Sequence, residues 1–498
     1  MAKKELEGKP SGEEEDVRVR EMKGGRKRRG VNEESDKLTT IEERKGRRLV
    51  LFPLPLQGHI NPMLELANIL HLKGFSITII HTHFNSLNPS TYPHFTFHSI
   101  PDGLSESEAA TKDLVLLLSL LNAKCIEPFR ECLVRLLSDA SDEPVACLIS
   151  DVIHFFTESV ADSLKIPKIV LRTGGASSFA VFAAFSLLRE KGYLPLQESR
   201  LEEPVIEFPP IKVKDLPLIN RCITEEYSKL VSGLSNGAKA SCGVIFNTFE
   251  DLEEHALAKI NQELPNIPVF PIGPFHKFYP TSSSSDLFSI DSSCISWLDT
   301  QAPKSVVYVS FGSIAAMKEA EFSEIAWGLA NSNQPFLWVV RPGLVQTSEP
   351  FPSGFLETLN GRGHIVKWAP QKEVLAHPAI GAFWTHNGWN STLESVCEGV
   401  PMICMPCFTD QMVNARFASD GWKVGLQLEN GMERGEIERT IRKLVVEKEG
   451  EEIRERALKL KEKANLCFKQ GGSSYQSLDG LVKHILSLES VVFQSQSH

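Results

Sequence analysis

Two residues in the first third of the chain have the types and the setting that general-base chemistry needs. His59 lies in the turn Gln57–Pro62, which follows the apolar run Leu49–Pro53, and Asp151 follows the apolar run Ala146–Ser150. Each run predicts a buried strand, so both side chains lie at the carboxyl ends of strands, where open α/β sheets form their clefts. Imidazole is a suitable base near neutral pH, and a carboxylate behind it orients the ring. The pair is therefore a candidate for removing a proton from an alcohol, although a lone histidine is more often a structural residue.

The 44 residues from Trp368 to Gln411 contain a second candidate site. In chain order they hold a tryptophan, a strand, a turn, a helix, a second strand and an acid–amide pair: Trp368, Ile380–Thr385, His386–Ser391, Thr392–Glu398, Val400–Met405 and Asp410–Gln411. A strand, a small-residue turn and a helix N-terminus form an anion site, because the first-turn N–H groups are free and the helix dipole is positive there. Taken singly, the same features also fit a core tryptophan and a capped helix.

Strands alternate with helices along the whole chain, which predicts two Rossmann-like α/β domains facing each other across a cleft. The predicted divisions are a disordered charged tail at 1–46, a first domain at 47–275, a linker at 276–295, a second domain at 296–470 and a final helix at 471–488. Helices are predicted at Met63–His71, Leu114–Leu137, Phe155–Leu164, Ser177–Lys191 and Arg434–Lys469. A ligand is expected in the cleft, at the carboxyl ends of the strands.

Composition narrows the class of protein. The 498 residues are 42% hydrophobic and 23% charged, which is typical of globular chains, and the net charge of −10 argues against a nucleic-acid partner. No apolar run is long enough to span a membrane, and the ten cysteines show no metal-ligand or disulfide spacing. We therefore expect a cytoplasmic monomer that holds no metal and is not inserted in a membrane. The basic run Gly25–Arg29 could be a nuclear address, but acidic neighbours favour a solvated tail.

The ordered set of residues between Trp368 and Gln411 resembles the signature box of plant family-1 UDP-dependent glycosyltransferases. The resemblance covers about Arg48 to Leu488 and implies the glycosyltransferase B fold, with the acceptor on the first half, the sugar nucleotide on the second, and a last helix that returns to the first domain. Glu433–Ile437 and Gly471–Tyr475 resemble the branch that acts on diterpenoid glycosides and small phenolics.

The resemblance also implies roles for residues of the donor site. Trp368, with Ala369 beside it, would stack on uracil, and Gln371 and Glu394 would accept ribose hydroxyls. Phosphate donors would come from Ser313, His386, Asn390 and Ser391, with Gly388 allowing close approach of the backbone. Backbone atoms of Trp389 and the side chains of Asp410 and Gln411 would bind the hexose. A glutamine at the last position is typical of glucose users, so UDP-glucose is the expected co-substrate and no bound cofactor or metal is expected.

The same resemblance assigns His59 as the base and Asp151 as its partner, with inversion at the anomeric carbon. The other histidines considered are His81, His83, His94, His98 and His154, of which His154 is placed in the acceptor pocket. Candidate pocket residues are Leu56, His154, Phe155, Thr173, Gly174, Gly175, Phe179, Phe408 and Thr409. Phe182 and Phe185 lie on the same predicted helix as Phe179, and the three rings together suggest an apolar pocket. An apolar pocket suits flavonoids, terpenoids or phenolics, and the sequence does not choose among them.

Three alternatives compete with this interpretation. The donor could be UDP-xylose, UDP-galactose or UDP-rhamnose, or the protein could bind a nucleotide sugar without turning it over. A dinucleotide-dependent dehydrogenase is excluded, because the first strand leads into Gln57–Pro62 and no GxGxxG motif follows.

Overall fold

The computed structural model describes residues 47–139, 143–219, 221–278, 289–345, 351–428 and 431–495, with side chains described as far as Leu488. The tail predicted at 1–46 lies outside the described residues, as do residues 279–288, which are half of the linker predicted at 276–295.

The first half is built on a parallel sheet in the order β3-β2-β1-β4-β5-β6-β7. Its strands are β1 Arg48–Phe52, β2 Ser76–Thr82, β3 Thr96–Ile100, β4 Val145–Asp151, β5 Lys168–Arg172, β6 Gly243–Phe246 and β7 Val269–Pro271. β1 and β5 are buried along their whole length, as continuous apolar runs in a covered parallel sheet should be. Strand order reverses between β1 and β4, which pair from Leu49 with Cys147 to Phe52 with Ser150.

The second half repeats this plan with the order β10-β9-β8-β11-β12-β13, again parallel. Its strands are β8 Val306–Ser310, β9 Phe336–Val339, β10 Gly363–Val366, β11 Ile380–Thr385, β12 Met402–Cys404 and β13 Gly425–Gln427. Here the order reverses between β8 and β11. Two sheets of this kind confirm the predicted fold class of two Rossmann-like domains.

The described helices are α1 Gln57–Leu72, α2 Glu106–Ala109, α3 Leu114–Lys124, α4 Ile126–Ser138, α5 Thr157–Ser163, α6 Ala176–Ala183, α7 Phe185–Glu190, α8 Glu225–Lys239, α9 Glu250–Glu263, α10 Phe275–Phe278, α11 Ser293–Leu298, α12 Glu319–Asn331, α13 Phe355–Thr358, α14 Gln371–Ala376, α15 Trp389–Glu398, α16 Asp410–Arg416, α17 Arg434–Val445, α18 Lys448–Cys467 and α19 Ser473–Ser495. α19 lies on the first domain, where Leu478, Leu481, Val482 and Ile485 join the core around β1, β2 and β4. No described helix is long and apolar enough to cross a membrane.

Two segments that were predicted as turns are helical where they carry site residues. The segment Gln57–Pro62 is the start of α1 rather than a turn, so His59 belongs to the first helical turn. Likewise α15 begins at Trp389 and not at Thr392, with Gly388 as its N-cap. Both helices therefore bring their N-terminal ends closer to the cleft than predicted.

Several predicted helices are shorter or divided. Leu114–Leu137 forms α3 and α4, Ser177–Lys191 forms α6 and α7, and Phe155 precedes α5. The charged run Arg434–Lys469 divides between α17 and α18, because Glu447 is extended with φ −89° and ψ 161°. Gly450 then packs so closely on the carbonyl of Leu444 that a Cβ there would lie 2.1 Å from its oxygen.

Candidate active site

His59 and Asp151 meet at the point where the strand order of the first sheet reverses. His59 extends from the first turn of α1, which follows β1, and Asp151 is the last residue of the adjacent β4. Their Nδ1 and Oδ2 atoms are 2.7 Å apart, and the exposed fraction of the side chains is 20% for His59 and 0% for Asp151. The sequence-predicted pair is thus in direct contact, with the carboxylate behind the ring.

The carboxylate is held so that it selects one tautomer of the ring. The Ile153 N–H donates to Asp151 Oδ1 at 3.0 Å. Burial alone would raise the pKa of Asp151, but the charge and hydrogen bond of His59 and this N–H together lower it. An ionised carboxylate only accepts hydrogen bonds, so the proton of the neutral ring lies on Nδ1 and Nε2 carries the lone pair. Thr173 Oγ1 lies 2.8 Å from the same Nδ1, so this predicted pocket residue also contacts the pair.

The second sheet places a helix N-terminus at its own reversal point. Gly312 and Ser313 follow β8, while His386 and Gly388 follow β11 and lead into α15. The N–H groups of the first turn of α15 have no carbonyl partner within the helix and are available to an anion. All four of these residues line the same cavity as His59.

The ring of His386 is enclosed by two glycines. A Cβ on Gly312, which has φ +71°, would lie 2.6 Å from His386 Nε2, and one on Gly388 would lie 2.5 Å from it. No residue with a side chain fits at either position while the ring stays in place. Removal from water lowers the pKa of His386 to about 4. The ring is therefore neutral at physiological pH and donates through one nitrogen.

A network of polar side chains lies beside the half-buried Trp368. Gln371 Nε2 donates to Ser391 Oγ at 2.9 Å and to Glu394 Oε2 at 2.8 Å. The Tyr308 hydroxyl donates to Gln371 Oε1 at 3.2 Å. Tyr308 lines the cavity but was missed from the sequence, where it looks like one more apolar residue of β8.

The loop after β12 contributes Phe408, Thr409, Asp410 and Gln411 to the cavity. Gln411 Oε1 accepts from the backbone N–H groups of Cys407 at 2.9 Å and Phe408 at 3.3 Å. These two donors fix which end of the amide is oxygen, so Nε2 is left as the donor. Thr409 Oγ1 donates to Asp410 Oδ1 at 2.9 Å, and Thr409 itself has φ +52°.

Trp389 joins the two halves. Its indole N–H donates to the carbonyl of Asn247 at 2.8 Å, and its side chain is buried. A Cβ on Gly175 would lie 2.8 Å from its ring, which explains why the loop after β5 has glycine at this point. The side chain is thus a contact between domains, and the residue also lines the cavity.

One cavity of about 380 Å³ brings most of the predicted residues together. Its lining includes every predicted donor-site residue and, among the predicted acceptor residues, Leu56, Thr173, Gly174, Phe182, Phe408 and Thr409. Five predictions need correction. Gly175 lies against the ring of Trp389, and Phe185 packs on Tyr227 with ring centroids 6.1 Å apart. His154 is fully buried and stacked on Phe52 at 4.4 Å, Phe155 packs against Gly233, and Phe179 packs against Phe246 at 5.4 Å. None of these five belongs to the lining, because each faces the core, α8 or the contact that Trp389 makes between the halves.

The acceptor side also contains residues that sequence reasoning missed. Tyr227, Leu230, Val231 and Leu234 line the cavity from α8, a helix that was not predicted. A signal was present, since Thr224 accepts from the Tyr227 N–H as an N-cap and the apolar residues follow at helical spacing. Arg172, at the end of β5, was missed as well. Within the described ranges, no group of three or more His, Cys, Asp or Glu side chains is placed to hold a metal ion.

Comparison with known proteins gives a consistent result. The family model "UDP-glucoronosyl and UDP-glucosyl transferase" matches residues 117–461. UDP-glycosyltransferase 76B1 of Arabidopsis thaliana is 53% identical over 442 residues, which are 88% of this chain and 98% of that protein. UDP-glycosyltransferase 76G1 of Stevia rebaudiana is 49% identical over 463 residues, which are 90% of this chain and 99% of that protein.

A solved structure shares the fold. UGT2 of Phytolacca americana, in complex with UDP-2-fluoro-glucose and pterostilbene, has a TM-score of 0.76 and 28% identity and covers 88% of this chain and 99% of its own. The fold and the cavity support the same assignment as these similarities. The two sheets each reverse their strand order at the cavity. The chain belongs to the plant family-1 UDP-glycosyltransferases, enzymes that transfer a sugar from a UDP-sugar to small metabolites.

Proposed function

We propose that this chain is an inverting glucosyltransferase that moves glucose from UDP-glucose to a hydroxyl, or a carboxyl, of a small lipophilic plant metabolite. The observation that carries the proposal is that His59, which Asp151 contacts from behind, and the N-terminus of α15 line one cavity from opposite halves. Residues 47–275 would bind the acceptor and residues 296–470 the donor.

The donor site supplies a suitable group for each part of UDP-glucose. Trp368 would stack on uracil, and the Gln371–Glu394 pair, already oriented by mutual hydrogen bonding, would accept the ribose hydroxyls. The diphosphate would lie at the N-terminus of α15, with donors from Ser313, neutral His386, Asn390 and Ser391. Asp410 would accept from the hexose and Gln411 Nε2 would donate to it, with the Trp389 backbone beside them.

The reaction follows from the tautomer of His59. Nε2 takes the proton of the acceptor hydroxyl as its oxygen attacks the anomeric carbon from the face opposite UDP. The bond from that carbon to the phosphate oxygen breaks, UDP leaves with the electron pair, and an α-linked donor yields a β-glycoside. Asp151 stabilises the imidazolium that forms, and a base placed in this way contributes about 10²–10⁴ in rate.

The test is a pair of variants measured by two methods. His59→Ala and Asp151→Asn should lose most transfer of glucose to an aglycone library, scored by mass spectrometry, while titration calorimetry shows UDP binding close to that of the unmodified protein. His255→Ala, which removes an exposed imidazole from α9, is the matched control and should keep full transfer. Transfer that survives His59→Ala would refute the assignment of the base.

The donor is tested separately. A panel of UDP-glucose, UDP-galactose, UDP-xylose and UDP-rhamnose should show the highest kcat/KM for UDP-glucose, and another preferred donor would contradict the interpretation of Gln411. UDP binding without turnover on any aglycone would instead favour a binding protein, against which the intact His59–Asp151 contact argues.

A further inference from the structure

Arg172 lines the cavity from the first domain and has no role in the reaction proposed above. It is the last residue of β5, immediately before Thr173, which contacts His59. Its side chain is 4% exposed and lines the cavity together with Phe182 and Tyr227. A cation is therefore located in an otherwise apolar part of the acceptor side.

Other buried arginines have polar partners that Arg172 lacks in the described part of the chain. Arg416 pairs with Asp215, Arg48 donates to the carbonyl of Leu136, and Arg341 donates to the carbonyl of Gly312. For Arg172, Nε has no hydrogen-bond partner, and within the described ranges no carboxylate pairs with the guanidinium. The ring of Phe182 lies 5.6 Å from the guanidinium carbon. Burial raises the pKa of the neighbouring Tyr227, and the charge of Arg172 opposes that rise.

A buried charge without a counterion is unfavourable, and an anionic ligand would stabilise it. Removing a charged group from water without a partner is energetically unfavourable. The surrounding residues leave room for the guanidinium: a Cβ on Gly174 would lie 2.8 Å from Arg172 Nη2. The planar guanidinium matches a carboxylate, with which it forms two parallel hydrogen bonds.

We propose that Arg172 binds a carboxylate of the acceptor, so that the preferred substrates are small hydroxy acids whose hydroxyl reaches His59. The proposal rests on the proposed function, because it needs the hydroxyl at Nε2. It also divides the cavity: Arg172 holds the acid, the apolar side chains of α6 and α8 hold the body of the molecule, and His59 takes the proton.

A carboxylate could also arrive on the donor, as in UDP-glucuronate. The surroundings of Arg172 favour the acceptor, because Phe182 on α6 and Tyr227, Val231 and Leu234 on α8 belong to the first domain. The hexose is instead assigned to Asp410 and Gln411 on the second domain. The experiment below includes an arm for each source.

The experiment compares acids with their uncharged esters. 3-Hydroxybenzoate and 4-hydroxyphenylacetate are each paired with the methyl ester and assayed with UDP-glucose. We expect the unmodified protein to prefer each acid by at least tenfold in kcat/KM. Arg172→Gln should reduce the acid-to-ester ratio at least tenfold, mainly through KM for the acid, and Arg172→Lys should restore part of it. Arg189→Gln, which removes an exposed cation from α7, is the matched control and should keep the ratio.

Each contrary outcome is distinct. Equal kcat/KM for acid and ester in the unmodified protein would overturn the proposal whether or not the variant folds. So would glucose attached to the carboxyl, which mild alkali would release, because the acid would then lie at His59. Selective loss of UDP-glucuronate use in Arg172→Gln would assign the residue to the donor instead. If no acceptor is glucosylated, the proposed function fails, while calorimetry of acid and ester with the UDP complex still tests Arg172.

Discussion

The side-chain amide of Asn390 donates a hydrogen bond to the carbonyl oxygen of Gly58 at 2.9 Å. The bond joins the first turn of α15 in the second domain to the first turn of α1, one residue from His59. Within α1 that carbonyl would normally accept from the residue four positions later, which is Pro62 and has no N–H. The proline therefore leaves a helical carbonyl available to the opposite domain, and the hydrogen bond holds α15 next to His59, the proposed base.

Replacing Pro62 with alanine should weaken this link. The alanine would supply an N–H to the Gly58 carbonyl and compete with Asn390, although alanine is itself the better helix former. We expect kcat/KM to fall about tenfold through displacement of His59 relative to the donor, with little change in the Kd for UDP. Steady-state kinetics and calorimetry measure the two quantities.

A double-mutant cycle tests the link itself. Asn390→Ala should cost activity in the unmodified protein and less in the Pro62→Ala background, because the bond is already weakened there. Asn331→Ala, an exposed asparagine at the end of α12, serves as the control. Additive effects of the two changes would show that Pro62 and Asn390 act independently.

Gly388→Ala should weaken binding at the proposed phosphate site. Its Cβ would lie 2.5 Å from His386 Nε2, so the ring or the N-terminus of α15 must move. We expect the Kd for UDP to rise at least tenfold. Gly435→Ala places its Cβ in open space on α17 and should leave the Kd unchanged. Equal Kd values for both variants would show that His386 has room to move.

The buried ion pair between Asp215 and Arg416 should be a large contribution to stability. Its atoms are 2.8 Å apart, and the side chains, one from each half, are 2% and 1% exposed. Asp215→Ala deprives a buried cation of a partner, so we expect a loss of about 3 kcal/mol in the free energy of unfolding. In the exposed pair of Glu225 and Lys229, water screens the charges, so Glu225→Ala should change the free energy of unfolding far less. Chemical denaturation measures the free energy of unfolding of both variants. Similar losses of stability in the two variants would contradict the expectation.

The sequence predicted the site better than it predicted the helices that carry it. Apolar runs locate buried strands, and a strand end is where a parallel sheet opens to its ligand, so His59 and Asp151 could be placed without coordinates. The helix starts could not, because Pro62 and Gly388 normally mark breaks, whereas here the proline lies inside α1 and the glycine caps α15. Their conformations depend on contacts between the halves.

The acceptor side was predicted least well, for a related reason. Phe179 and Phe182 lie on one helix with similar apolar character, yet Phe179 packs on Phe246 and Phe182 lines the cavity. Which of them faces the cavity is decided by the packing of α6 on β6 and α8, a long-range property. Arg172 was missed because a charged residue at the end of an apolar strand normally marks the surface, whereas here it is covered.

His154 should make the protein sensitive to acid. It is fully buried, stacked on Phe52 with ring centroids 4.4 Å apart, and neither ring nitrogen has a hydrogen-bond partner among the described residues. Burial lowers the pKa of His154 to about 4, from 6.5. As the pH falls below 6.5, His154 becomes protonated in the unfolded chain, whereas in the folded protein it stays neutral until about pH 4. Stability is therefore lost across this window, by about 3 kcal/mol in all.

His154→Phe removes the titrating group and keeps an aromatic ring against Phe52. We expect its Tm at pH 7 to change little and its Tm at pH 5 to exceed that of the unmodified protein, so that the two Tm-against-pH curves separate below pH 6.5. His255→Phe, an exposed position on α9, should follow the unmodified curve. Parallel curves for His154→Phe and the unmodified protein would show that the acid sensitivity arises elsewhere, because no other group changes between the two proteins.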